Sequence, residues 1–198
     1  MELILIRHGL PLRVEREAGC PADPPLSEKG QAQAAAVGAW LAEEKIDKIY
    51  SSPLRRAHET AQPLAERIGA SIELEPRVAE FDRDSETYVP LEELKLLDYE
   101  RWLQFMKQGY PDGLDLEQFR QDVVESLGEI ASAHAGQCVA VFCHGGVINT
   151  LAADFIGLGL KLFFNPFYTS INRFLISAGG VRSVRSLNEC AHLRDLEN

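Results

Sequence analysis

Two runs of uninterrupted apolar residues, "LILI" at 3–6 and "VAVF" at 139–142, end abruptly on polar, glycine-flanked residues. The first stops at Arg7, His8 and Gly9; the second stops at Cys143, His144, Gly145 and Gly146. A strand with one face in water alternates apolar and polar side chains, whereas a strand covered on both faces does not. Both runs therefore predict interior strands of a mostly parallel sheet between helices, an α/β three-layer (α/β/α) sandwich. The polar endings fit the same reading. In open α/β sheets ligands gather beyond the carboxyl ends of the strands, so an arginine and a histidine placed there face a crevice rather than the core.

The intervening sequence supplies the other elements. "PLSEKGQAQAAAVGAWLAEE" predicts a helix capped by Ser27, with Val37, Trp40 and Leu41 turned inward. "IDKIYSS" reads as a second strand. "SPLRRAHETAQPLAERIG" predicts a helix with Ser52 as N-cap, Pro53 at its first position and Gly69 past its end. Its buried stripe would be Leu54, Ala57, Ala61, Leu64 and Ile68, and Pro63 predicts a kink near residue 60. "ASIELEPRVAEFD" resembles a third strand followed by a loop. Residues 83–113, rich in charge, are expected to form an irregular or helical excursion over one end of the sheet. Asp115 and Gln118 resemble a capping box, opening a helix striped by Leu116, Phe119, Val123, Leu127 and Ile130. A helix from about Val147 to Ile156 follows the second apolar run, and "INRFLISAGGVRSVRSLNE" predicts an antiparallel pair turning at Gly179 and Gly180. No repeat or linker interrupts the chain, so residues 1–198 read as a single domain.

Composition removes several function classes. A net charge of −10 opposes general affinity for nucleic acid or for an anionic membrane surface. No segment approaches the roughly 20 apolar residues of a membrane span. The four cysteines, Cys20, Cys138, Cys143 and Cys190, form no C-x-x-C pair, and the opening apolar run is too short for a signal-peptide core. A reducing, cytoplasmic setting is expected. The five histidines show no metal-ligand spacing; His58 and His134 read as structural or exposed, and His192 as part of a tail. Oligomeric state leaves no trace in the sequence.

A third segment joins the two strand ends. "SSPLRRAHET" is again a strand followed by a helix start, with Arg55 and Arg56 in its first turn. On the wheel of that helix Arg55 points nearly opposite the buried face and Arg56 lies nearer the flank, so Arg56 is the better pocket candidate. Taken with "LIRHG", "LSEKGQAQA", an acidic residue in "VAEFD" and "VAVFCHGGVI", these segments resemble the histidine phosphatase superfamily, in its phosphoglycerate-mutase-like branch. They follow that family's order and separations from residue 3 to about 175.

The resemblance implies the family's fold and assigns roles. His8 would be the nucleophile that accepts a phosphoryl group, Arg7 and Arg56 would grip its oxygens, with Gly145 beside them, His144 would be a second pocket histidine, and Glu80 would be the proton donor. Asp82, two residues on, is the rival acid. The implied activity is hydrolysis of a small-molecule phosphomonoester through a phosphohistidine, with no metal or organic cofactor. Phosphoglycerate mutase activity, or a phosphate-binding module without turnover, are the alternatives. Leu10 and Pro11 replace the polar residues that often follow R-H-G, and residues 111–120 lack the family's common Gly-Glu-Ser stretch, both where selectivity is usually set. The long basic excursion of the mutases is missing, and that favours a phosphatase.

Elementary chemistry points the same way. Guanidinium groups hold a phosphate dianion bidentately and stay charged at any working pH. Phosphoryl transfer is catalysed mostly by positioning and charge stabilisation, which arginines and glycine-flanked amides can supply. A histidine nucleophile must be neutral, and nearby arginines disfavour its charged form. The same arginines are expected to lower the Glu80 pKa, so that the bound dianion would be needed to restore its proton. Arg13 and Arg16, after the nucleophile, are candidates for a second acidic group on the substrate. Phe163, Phe164, Phe167 and Tyr168 read as a packed aromatic cover.

Overall fold

The two apolar runs lie side by side in a computed structural model of the chain that describes residues 1–14, 19–108, 113–159 and 161–196. β1 (Glu2–Arg7) and β4 (Cys138–Cys143) pair in parallel, with Leu3 opposite Val139 and Arg7 opposite Cys143. β2 (Lys48–Ser51) and β3 (Ile72–Leu74) extend the parallel set, and β5 (Ile171–Ile176) and β6 (Arg182–Glu189) close it as an antiparallel hairpin. The strand order is β3-β2-β4-β1-β5-β6.

The pleat divides the central residues between two cores. Leu3, Leu5, Val139, Val141 and Cys143 meet Phe119, Val123 and Leu127 of α5 (Leu116–Ala133) and Val147, Ile148 and Leu151 of α6 (Gly145–Ile156). Ile4, Ile6, Ala140 and Phe142 meet Val37 and Leu41 of α1 (Glu28–Leu41) and Ala61 and Leu64 of α2 (Arg55–Ile68). Continuous apolarity therefore marks cover on both faces, and each fully buried Leu, Ile or Val contributes about 1.5–3 kcal/mol. Among the described residues, no helix is long and apolar enough to cross a membrane.

Several local expectations need correction. Trp40 is 45% exposed, at the margin of the α1 stripe, where its ring instead approaches His192 with centroids 6.4 Å apart. α2 starts at Arg55, not at Pro53: the backbone of Leu54 is still extended, and Asp23 Oδ1, from another loop, accepts from the Arg55 amide at 2.8 Å. Leu54 and Ile68 are only half-buried for the same stripe. Pro63 sits inside the unbroken α2, its ring against Gly38 of α1. Asp115 caps α5 by accepting from Gln118 N at 3.0 Å, but the Gln118 side chain turns forward to Asp122, so half of the capping box forms. α6 begins two residues early, at Gly145, with His144 as its N-cap.

The excursion is irregular over 83–90 and then helical, as α3 (Leu91–Leu97) and α4 (Tyr99–Gln108), with 109–112 outside the described residues. Its first part is tied to the loop after β1, where Val14 and Tyr88 exchange backbone bonds at 3.0 and 3.1 Å. The excursion thus roofs the carboxyl end of the sheet.

Candidate active site

β1 delivers Arg7 and His8, and β4 delivers His144, at neighbouring strand ends because the two strands are in register. The loop after β1 is then fixed from three sides. Gly9 N donates to Thr60 Oγ1 at 2.9 Å, Leu10 N donates to Gln33 Oε1 at 2.9 Å, and Ser27 Oγ donates to Leu10 O at 2.8 Å. Gly30 lets α1 approach, since a Cβ there would lie 2.1 Å from Leu10 O. The "LSEKGQAQ" segment is therefore a brace for the histidine loop.

His8 is 3% exposed, and its Nδ1 lies 2.8 Å from Gly9 O. Burial lowers its pKa well below the ordinary value, helped by Arg56 and Arg7 and opposed by the bond to Gly9. The ring is neutral, and a carbonyl only accepts, so Nδ1 carries the proton and the Nε2 lone pair is free. The His144 ring is 5.1 Å from that of His8 and fully buried. Its pKa is also driven well down, by burial first and then by Arg56, His8 and Arg7. His144 Nε2 meets Ser52 Oγ at 2.8 Å, and its Nδ1 has no hydrogen-bond partner in the protein.

Arg56 is 1% exposed and donates from Nη2 to Asp82 Oδ1 at 2.8 Å, with Cζ 4.7 Å from the centroid of the Tyr88 ring. Burial works against its charge, but Asp82, then Tyr88 and Glu80, outweigh it and its pKa moves up. Its Nε and Nη1 are buried without a hydrogen-bond partner. Leaving charged donors unmatched away from water is costly, which is the mark of a site for an anion. Arg7 donates from Nη1 to Pro166 O at 2.5 Å and lies over Tyr168, with Cζ 3.9 Å from the ring centroid.

Glu80 is 8% exposed and accepts from Gly146 N at 2.8 Å and from Phe81 N at 3.2 Å. Burial raises its pKa to about 7, with a further push from Asp82, against the two amides and Arg56. The arginines were expected to prevail; burial prevails instead, and the carboxyl is half-protonated near neutral pH without any bound dianion. Asp82, the rival acid, is committed to its ion pair with Arg56.

Arg7, His8, Arg56, Glu80, Asp82 and Gly145 line one cavity of about 290 Å³. His144 is not among the lining residues; its ring adjoins that of His8, centroids 5.1 Å apart. Phe81, Tyr88, Val89, Leu94, Leu162 and Phe164 make much of the outer wall, with Arg101 also on it. Of the aromatic cluster, Phe164 lines the cavity, Tyr168 packs on His8, and Phe167 is 57% exposed. Arg13 is exposed and off the cavity; Arg16 lies outside the described residues. Among the described residues, no cluster of three or more His, Cys, Asp or Glu is placed to hold a metal ion.

Sequence reasoning missed three groups here. Ser52 looked like a helix cap but holds His144. Gly146 looked like a flank, yet a Cβ there would lie 2.3 Å from Glu80 Oε1. Thr60, one turn after Arg56, gave no signal for its bond to Gly9.

Comparison with known proteins gives a consistent picture. The model of the histidine phosphatase superfamily (branch 1) matches residues 3–189. Phosphoserine phosphatase 1 of Hydrogenobacter thermophilus is 31% identical over 171 residues, covering 83% of this chain and 81% of the relative. A probable phosphoglycerate mutase, GpmB of Erwinia tasmaniensis, is 26% identical over 164 residues, covering 80% of this chain and 76% of its own. The crystal structure of a phosphoserine phosphatase from Entamoeba histolytica in complex with 3-phosphoglyceric acid superposes with a TM-score of 0.73 at 25% identity, covering 97% and 98% of the two chains.

Proposed function

This chain belongs to the histidine phosphatase superfamily, and from that premise we propose that it hydrolyses a small phosphomonoester through a phosphohistidine at His8, without a metal or organic cofactor. The observation that carries the reading is the joint placement of a neutral, Nδ1-protonated His8 and a buried Arg56 with two unmatched nitrogens on one cavity.

The substrate phosphoryl group sits between Arg7 and Arg56, near the first turn of α6. In this reading the Ser52 hydroxyl, which accepts from Leu54 N at 3.2 Å, gives its own proton to His144 Nε2, 2.8 Å away. Neutral His144 then carries its proton on Nδ1, a donor for a phosphoryl oxygen. His8 Nε2 attacks phosphorus as the ester P–O bond breaks, and Glu80 gives its proton to the leaving alkoxide. Glu80, now a carboxylate, takes a proton from water as that water attacks phosphorus and the P–N bond breaks, releasing phosphate and restoring His8. Both arginines stabilise the charge spread over the transferring group. Phosphoserine and 3-phosphoglycerate, the molecules in the relatives' names, belong in the first assay.

The test is a phosphate-release screen over such metabolites in excess chelator, with wild type beside His8→Ala. Phosphate release by the wild type, lost in His8→Ala, and an acid-labile, base-stable label on the wild-type protein are expected. Activity abolished by the chelator would overturn the metal-free mechanism. Transfer between the 2- and 3-positions of glycerate exceeding hydrolysis would replace phosphatase by mutase, and phosphate binding without turnover would leave a binding module.

A further inference from the structure

The segment that carries Tyr168 is held in an unusual way. Thr169 has φ 58° and Asn188 has φ 59°, the two non-glycine residues with left-handed backbone among those described. For a β-branched residue such as Thr169 this conformation is a real strain, and it persists only where the surroundings over-determine it. Both residues clamp the same few positions. Asn188 Oδ1 accepts from Phe167 N at 2.8 Å, while Thr169 N donates to His8 O at 3.3 Å. The fully buried Thr169 hydroxyl donates to Tyr168 O at 2.7 Å and meets His192 Nε2 at 3.1 Å. Having given its only proton to the carbonyl, Oγ1 accepts from His192, which therefore bears its proton on Nε2.

This matters because of what Tyr168 touches. Its ring lies 5.6 Å from the His8 ring, and it is the face on which Arg7 lies. The 3₁₀ turn at Ala191–Leu193, outside the cavity, thus reaches the nucleophile through Thr169 and Tyr168 in two steps. We infer that His192 is a positioning residue: its hydrogen bond to Thr169 holds the strained backbone that presses Tyr168 over His8 and Arg7. The inference rests on His8 being the reacting group of the proposed phosphatase.

Removing His192 takes away a donor but no charge, because burial lowers its pKa to about 4, against the Thr169 backbone and the nearby Glu189. The charged and titratable groups that face His8 are Arg7, Arg56 and His144, with Glu80 across the cavity, and none of them is altered by the change. Any shift in His8 titration then reports its cover.

The experiment compares His192→Phe, which keeps bulk but has no donor, Thr169→Val, which keeps shape but has no hydroxyl, and His192→Gln, whose amide can still donate. Two readouts are used: nitrogen NMR of the histidine rings against pH, which needs no turnover, and kcat on the best substrate of the screen. In His192→Phe and Thr169→Val, water reaches the loosened site, so His8 is expected to begin titrating at higher pH than in the wild type. In both, kcat is expected to fall about ten- to a hundredfold through misplacement of the reacting pair. His192→Gln should restore most of both. Unchanged His8 titration and kcat in folded His192→Phe and Thr169→Val would overturn the inference. If His192→Phe does not fold, Thr169→Val decides; loss of folding in both would make the contact a stability element and end the proposal. Should the wild type hydrolyse nothing, the functional reading fails while the NMR comparison still tests the clamp.

Discussion

At Glu80 two opposing pulls meet, and their balance sets the pH behaviour of the site. Burial and the Asp82 charge hold the carboxyl proton on, while two amides and Arg56 draw it off, leaving a pKa of about 7. A general acid must be protonated, so kcat/KM is expected to fall as pH rises through about 7. In Asp82→Asn the charge that helps retain the proton is gone, and this alkaline limb should move to lower pH; a limb that stays put would mean Glu80 is not the group observed. Glu80→Gln should lower kcat for an alkyl phosphate by about 10²–10⁴-fold. It should spare kcat/KM for p-nitrophenyl phosphate, whose leaving group departs without a proton, while kcat/KM for the alkyl ester falls; equal losses of kcat/KM on the two substrates would exclude Glu80 as the donor. Gly146→Ala places a Cβ 2.3 Å from Glu80 Oε1 and 2.8 Å from the Phe81 ring. The carboxyl must then move, and activity on the alkyl ester should approach that of Glu80→Gln with the two substrates diverging in the same way.

At the level of elements, the site depends on helices that do no chemistry. α1 with its N-cap contributes Ser27, Gly30 and Gln33 to the loop after β1, and α2 contributes Arg56 to the cavity and Thr60 to the same loop. The two helices meet closely at Gly38, where a Cβ would lie 2.9 Å from Pro63 Cβ and from Leu64 N. Gly30→Ala drives a Cβ to 2.1 Å from a backbone oxygen that cannot rotate away. It should destabilise the fold by about 3 kcal/mol, the upper part of the overpacking range, measured by urea denaturation. A change below about 0.5 kcal/mol, the ordinary surface range, would show that the loop and α1 can separate freely.

For the whole molecule, the buried histidines set the acid side of the stability curve. His8, His144 and His192 all have lowered pKa values, so each takes up a proton on unfolding below the ordinary 6.5. Their contribution is complete above 6.5 and is lost as pH falls toward the folded values. Glu80 runs the other way: its raised pKa gives a contribution present below 4.5 and lost as pH rises through about 7. Between pH 7 and about 5, three groups gaining a proton on unfolding outweigh one losing it, so Tm should fall on acidification in that window. In His192→Gln the slope should be shallower by one proton's share. A Tm that is flat or rises toward pH 5 would contradict the burial of these rings.

The sequence by itself determined the layered α/β fold, the central strand pair and the residues that meet at its carboxyl end. The reason is that continuous apolarity and a glycine-flanked polar stop are local properties that survive in any compact arrangement burying both faces of a sheet. It also separated Arg56 from Arg55, because helical periodicity is local. Only the tertiary structure decided the rest. Burial outweighs the arginines at Glu80 because desolvation depends on what packs around a carboxyl, not on which charges stand near it in sequence. Ser52 meets His144 as well as Leu54 N because β4 brings the imidazole to 2.8 Å. His192 reads as a tail along the chain, yet it bonds Thr169 beneath the nucleophile because β5 and β6 fold that segment back across 23 residues of sequence. Side-chain partners at such separations are set by packing, and no local pattern encodes them.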